Sequence, residues 1–190
     1  MKTKILLIFI ILSSFALKVF PETLSLSFSG GFFFPRQKEY KDMYGNGNPY
    51  AFEIRTRILK NFCLSSGLEY LKQQGHALGD GEEYLLEFKM TTIPVTIFYR
   101  HPLKKTFLSL GLGASYNRFE EKWKTVEISF EDKKWGYFIF FSIEYRLVPR
   151  LSVLANLKYE NLPTGKGSLL VKNVNLGGLK LFAGFSLCLF

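Results

Sequence analysis

Residues 135–159 alternate between a continuous apolar side and a mixed, largely polar or small side. On the first arm Trp135, Tyr137, Ile139, Phe141, Ile143, Tyr145 and Leu147 fall on one side. Gly136, Phe138, Phe140, Ser142, Glu144 and Arg146 fall on the other. After Val148-Pro149-Arg150, the residues Leu151, Val153, Ala155, Leu157 and Tyr159 repeat the apolar side against Ser152, Asn156, Lys158 and Glu160. Strand side chains point to opposite faces with period two, so this is a β-hairpin with one unbroken apolar face. A soluble sandwich would bury that face. Here it is long, ends in aromatic residues and recurs on nearly every other strand. Strands behave this way when their outside meets lipid and their inside lines a polar lumen.

The same alternation predicts strands over 24–35, 50–59, 62–72, 84–99, 106–117 and 175–190, making eight with the hairpin. Residues 36–49, 73–83, 118–134 and 161–174 read as long loops rich in Gly, Asn and charge. The remaining connections, such as Lys60-Asn61, are short. Long and short connections alternate, which describes an antiparallel up-and-down sheet. An open sheet would leave unpaired backbone groups in hydrocarbon, so the sheet must close. The expectation is therefore an all-β fold, an eight-stranded antiparallel transmembrane barrel. On the fourth strand Leu86, Phe88 and Met90 are expected outside, with Glu87 and Lys89 inside. The alternation then slips by one at Pro94, read as a bulge, before Val95, Ile97 and Tyr99 continue the apolar face. In 118–134, Val126, Ile128 and Phe130 alternate, which would carry this hairpin beyond the bilayer.

The first residues carry an address. Lys2 and Lys4 precede the apolar run 5–12, and Ser14-Phe15-Ala16 puts small residues where a signal peptidase reads. Residues 1–16 are expected to be a secretory signal peptide, a later cleavage near Pro21 being the alternative, with the barrel domain over 22–190. The apolar run is too short for a spanning helix. The formal net charge is +9, but an exported chain does not meet nucleic acid, and the cations form no dense patch interleaved with stacking aromatics. Many instead sit at short turns, among them Lys60, Arg100, Lys104, Lys105, Arg146 and Arg150, where they would meet lipid headgroups. Cys63 and Cys188 are expected on strands that are not neighbours, as small hydrophobes and not a bridge.

The inward charges are expected to be Glu53, Arg55, Arg57, Glu69, Glu87, Lys89, Glu144, Arg146, Lys158 and Glu160. Two readings fit them: a plug of salt bridges in a lumen with little spare room, or a narrow conduit for ions or small solutes. Two aromatic belts are expected at the membrane interfaces. Tyr50, Tyr84, Tyr116, Trp123, Trp135 and Tyr159 lie at the long-loop rim, and Phe62, Tyr99, Phe107 and Tyr145 at the short-turn rim. Inward Phe138 and Phe140 are the only hint of an apolar entry. His76 shares a loop with Asp80 and His101 precedes Pro102. No nucleophile motif accompanies either histidine, and no spacing suits zinc.

These residues resemble the small outer-membrane β-barrel proteins of the OmpA, OmpX and OmpW type. The similar pieces are Ile93-Pro94-Val95 running into Tyr99-Arg100, Leu110-Gly111-Leu112-Gly113-Ala114 after a basic turn, Ser142-Ile143-Glu144-Tyr145-Arg146-Leu147 before a Pro-containing turn, and the terminal Phe190. The resemblance implies a bacterial outer-membrane location, no cofactor, and folding by the barrel assembly machinery, which reads a terminal Phe with apolar residues at alternate positions. Here Cys188, Ser186, Gly184 and Phe182 share the parity of Phe190, whereas Leu189, Leu187, Phe185 and Ala183 form the greasier face. Either a bulge shifts the parity or Phe190 points inward. Outer-membrane lipid and lipopolysaccharide are the expected partners, and the expected state is a monomer. The leading expectation is a structural or surface-interaction barrel with a plugged lumen, not an enzyme. The alternatives are a narrow porin or small-hydrophobe transporter, and a soluble exported barrel of lipocalin type.

Overall fold

The computed structural model describes residues 24–79, 82–163 and 175–189. The expected signal peptide, Asp80 and Phe190 lie outside these residues. Eight antiparallel strands close into a barrel in sequence order: β1 (Leu24–Pro35), β2 (Tyr50–Leu59), β3 (Phe62–Gly79), β4 (Glu82–Leu103), β5 (Thr106–Trp123), β6 (Ile128–Val148), β7 (Leu151–Asn161) and β8 (Gly178–Cys188). β1 pairs with β8, so the sheet has no open edge. That closure satisfies the backbone groups that hydrocarbon cannot.

The apolar face is outside. Trp135 is 68% exposed, Leu112 62% and Phe28 63%, while Ser109, Ser115 and Ser142 behind them are buried. Tyr145 and Trp135 mark the two edges of the band on β6. Ten residue steps at about 3.3 Å, tilted about 45°, span about 23 Å, close to the apolar height of a membrane barrel.

Two of the expected loops are strand. β3 and β4 run on to Gly79 and Glu82, and β5 and β6 continue to Trp123 and Ile128, where residues 124–127 turn the chain. Both hairpins therefore rise well above the lipid band. There the polarity of the wall reverses. Lys72, Lys89, Arg118, Glu120 and Lys122 cover the outside, and Leu71, Leu86, Phe88, Met90 and Phe119 are buried inside. The expected outward facing of Leu86, Phe88 and Met90 is thus corrected. Beyond the lipid a strand must show water its charges, so the greasy face moves to the interior without any change of register. β4 pairs β5 in one unbroken register from Leu86 to Leu103. Pro94 makes no bulge. The ladder to β3 skips from Ser66↔Val95 to Glu69↔Thr92 in the same register, and Pro94, lacking a donor, sits in that gap.

The loop after β1 folds back over the barrel mouth as a short helix, α1 (Lys38–Tyr44), which buries Tyr40 and Tyr44. These two rings join Phe33, Leu71, Leu86, Phe88, Met90, Phe119, Leu162 and Leu176 in one apolar cluster. Tyr40 meets Phe88 edge-on, with centroids 5.2 Å apart, and its hydroxyl donates to Gln73 Oε1 at 2.6 Å. A Cβ on Gly75 would stand 2.3 Å from the Met43 carbonyl oxygen, so only glycine lets α1 lie this close to β3. The return from the last loop is pinned by Asn175, whose Oδ1 accepts from the backbone N–H of Leu162 and Gly177.

Candidate functional site

Period-two alternation carries every second residue of eight strands into the lumen, and within the lipid band these are mostly polar or small. Two ion-pair groups result, separated by an apolar layer. In the first, Lys180 on β8 lies 2.7 Å from Glu160 and 2.9 Å from Glu69. Lys158 closes on the other oxygen of Glu69 and stands 4.3 Å from the centroid of the Phe138 ring. Ser115 donates to Glu160. Asn117 Nδ2 donates to Ser115 at 2.8 Å, and Thr92 donates to Asn117 Oδ1 at 2.5 Å. The four charged side chains are at most 3% exposed. Two carboxylates against two ammonium groups make the group neutral, which is what burial at low dielectric requires.

The second group lies nearer the short turns. Arg55 donates to Glu53 at 2.8 Å and approaches Glu144 at 3.9 Å, and Arg100 reaches Glu144 at 3.0 Å. Cys63, Phe98, Phe138 and Phe140 form the apolar layer. Gly113 faces it, and a Cβ there would fall 2.2 Å from the Phe138 ring. Below the second group a cavity of about 50 Å³ opens among Arg55, Arg57, Arg100, Glu144, Arg146 and both cysteines.

Of the ten charges expected inside, Glu53, Arg55, Glu69, Glu144, Lys158 and Glu160 meet in these groups, while Arg57 and Arg146 line the cavity at the mouth. Glu87 and Lys89 do not belong with them. They lie on the outer wall above the lipid, where Glu87 takes Lys89 at 2.8 Å, Lys124 at 3.1 Å and Lys72 at 3.3 Å. Hydrogen bonds from these lysines, Lys89 first, hold its carboxyl down at about 2. The reversal of wall polarity accounts for both misplacements. Sequence reasoning misses Lys180 and Arg100. Lys180 alternates with Leu179 and Leu181, a signal that could have found it; Arg100 reads as a turn residue until β4 is seen to continue to Leu103.

In the belts, Tyr50, Trp135 and Tyr159 face outward at the upper rim, and Tyr116 packs on Trp135 with centroids 5.2 Å apart. Phe62, Tyr99 and Tyr145 face outward at the lower rim. Three aromatics depart from the expected belts. Phe107 is buried in the lumen, with Arg100 and Arg146 over its ring at 3.9 and 4.8 Å. Tyr84 and Trp123 pair above the lipid, 5.7 Å apart. Phe138 and Phe140 are packed in mid-lumen and do not line an entrance. His76 pairs with Glu83 at 2.8 Å on an exposed hairpin, and His101 stacks on Tyr99 at the opposite rim. Among the described residues no cluster of His, Cys, Asp or Glu could hold a metal ion.

Sequence reasoning also passes over Glu121, which it places in a charged loop. The side chain points inward from β5 into the cap, where Trp123 Nε1 donates to it at 2.7 Å. Burial among the cap side chains raises its pKa to about 7, against the lowering effect of its hydrogen bonds.

No family model matches the chain, and no curated protein does. Solved structures do. The outer membrane protein OprG of Pseudomonas aeruginosa superposes with a TM-score of 0.70 at 11% identity, over 88% of this chain and 95% of that one. Neisserial surface protein A gives 0.61 at 14% identity, over 86% and 95%. A major outer membrane protein of Thermus thermophilus gives 0.59 at 15% identity, over 87% and 98%. The likeness is one of fold: this chain is built as a small outer-membrane β-barrel.

Proposed function

We propose that the protein is an integral barrel of the bacterial outer membrane whose lumen is closed by its own side chains and whose raised hairpins form a surface for interaction, with no catalytic role. The observation that carries this reading is the neutral group Lys158–Glu69–Lys180–Glu160, buried across the lumen behind a lipid-facing wall. An eight-stranded barrel encloses just enough space for side chains to fill it. Above the lipid, β3 to β6 raise walls covered with charged side chains of both signs. One similar structure is described as a surface protein, which agrees with a role at the cell exterior. Lys72, Lys89, Lys122 and Lys124 on those walls suit the phosphates of lipopolysaccharide. A monomer delivered by the barrel assembly machinery completes the proposal.

The test is conductance across a planar bilayer. The purified barrel should insert without discrete current steps. Reproducible single-channel steps would reject the closed lumen in favour of a narrow porin. The small-hydrophobe alternative loses its support, because Phe138 and Phe140 are packed among Cys63 and Phe98. Release from envelopes by carbonate would favour a soluble barrel instead.

A further inference from the structure

We propose that the short-turn mouth of the barrel binds a small oxyanion of the phosphate class, held by Arg57, Arg100 and Arg146. These guanidinium groups come from β2, β4 and β6 and line one cavity of about 50 Å³. A single ordered water needs roughly 10–15 Å³ of such space, so the cavity suits a few waters or one small polyatomic anion.

The charge is unbalanced. Among the described residues, Arg55, Arg57, Arg100 and Arg146 face two carboxylates, Glu53 and Glu144, an excess of two positive charges. Glu53 is taken by Arg55, and Glu144 is divided between Arg55 and Arg100. Arg57 and Arg146 make no ion pair among the described residues, and Arg100 Nε is buried with no acceptor. This contrasts with the neutral group higher in the lumen, where every charge is matched. A buried donor without an acceptor costs free energy. Arg57 is half-buried and Arg146 exposed, so what they add is like-charge repulsion at the mouth. A bound dianion removes both costs.

The forks are also set in advance. Arg100 and Arg146 share the Phe107 ring, with their guanidinium carbons 3.9 and 4.8 Å from its centroid. A guanidinium held over a ring keeps its N–H edge for hydrogen bonds; Arg100 spends one Nη on Glu144 and keeps its Nε. Three forks from three strands offer more donors than the two oxygens of a carboxylate can accept, which favours a tetrahedral anion.

Isothermal titration of the full barrel with inorganic phosphate tests this, in dodecyl maltoside micelles and chloride buffer so that no lipid phosphate competes. One saturable site is expected. The double variant R57Q/R146Q should bind at least about tenfold more weakly, as loss of charge-assisted hydrogen bonds implies. Ser152→Glu, which sets a carboxylate in the cavity wall, should weaken binding in the same way. Arg118→Gln, on the outer wall at the other end, should not. Far-ultraviolet circular dichroism confirms that each barrel is folded. Absence of saturable binding, a double variant equal to the wild-type chain, or acetate binding as tightly as phosphate would each overturn the proposal. The closed-lumen reading is decided separately, by conductance.

Discussion

Lys180 Nζ stands 2.7 Å from Glu160 and 2.9 Å from Glu69, and so ties β8 at once to its neighbour β7 and to β3 across the lumen. Hydrogen-bonded ladders hold each strand only to its two neighbours. Buried ion pairs across the lumen add contacts between strands that the ladder never joins. Truncating one partner of such a group strands a charge at low dielectric. Lys180→Met is therefore expected to lower unfolding stability by about 3 kcal/mol, within the range for a broken buried pair. Urea unfolding in micelles measures it. The double variant K180M/E160Q, which removes the stranded carboxylate as well, should recover a large part of the loss. Equal midpoints for K180M and the wild-type chain would show that the pairs hold nothing together.

The outer wall of β5 carries its own contrast. Leu112 and Glu120 point to the same side of one strand, yet one lies in the lipid band and the other above it. Arginine at the bilayer midplane of a barrel costs about 2–4 kcal/mol, and near or beyond the interface little or nothing. Leu112→Arg should therefore lower stability in lipid vesicles by an amount in that range. Glu120→Arg should change it by less than about 1 kcal/mol. Equal effects would mean that the band does not face lipid.

The cap over the lumen depends on a close approach. Gly75 meets the Met43 carbonyl, and a Cβ there would stand 2.3 Å from its oxygen. Gly75→Val is expected to lift α1 off the mouth while the strands stay paired. Deuterium uptake at residues 38–44 should rise, with the exchange of β5 and β6 unchanged. Protection of α1 equal to that of the wild-type chain would show that the helix is held by something other than this contact.

The barrel is legible in the sequence because its cause is local. Leu110, Ile139 and Leu157 declare their side through period two, and closure follows from what hydrocarbon forbids. The site is partly legible for the same reason: Glu69 and Lys158 are polar residues at inward parity between apolar neighbours. What misleads is the assumption that one rule of polarity runs the whole strand. On β4 the residues Val95 and Phe88 are both apolar, and they face opposite ways because one lies beside lipid and the other under water. Nothing in the spacing marks the height of that crossover. The inwardness of Phe107 is equally hidden, since its worth lies in the two arginines above it, which come from β4 and β6.

Glu121 gives the cap a pH dependence whose sign can be worked out. Its pKa stands at about 7 in the closed cap, raised by burial, and would return to the ordinary carboxylate range of about 4.3 once the cap opens to water. The closed state thus holds its proton more tightly than the open state. Its contribution is fully present below about pH 4, declines as pH rises between about 4 and 7, and stays lost above that. Linkage puts the change at up to about 4 kcal/mol. Protection of α1 against hydrogen exchange, corrected for intrinsic rate, should therefore fall across this window. Glu121→Gln, neutral at every pH, should flatten the profile while keeping an acceptor for Trp123 Nε1. A wild-type profile already flat from about pH 4 to 8 would mean that the carboxylate meets water in the closed cap.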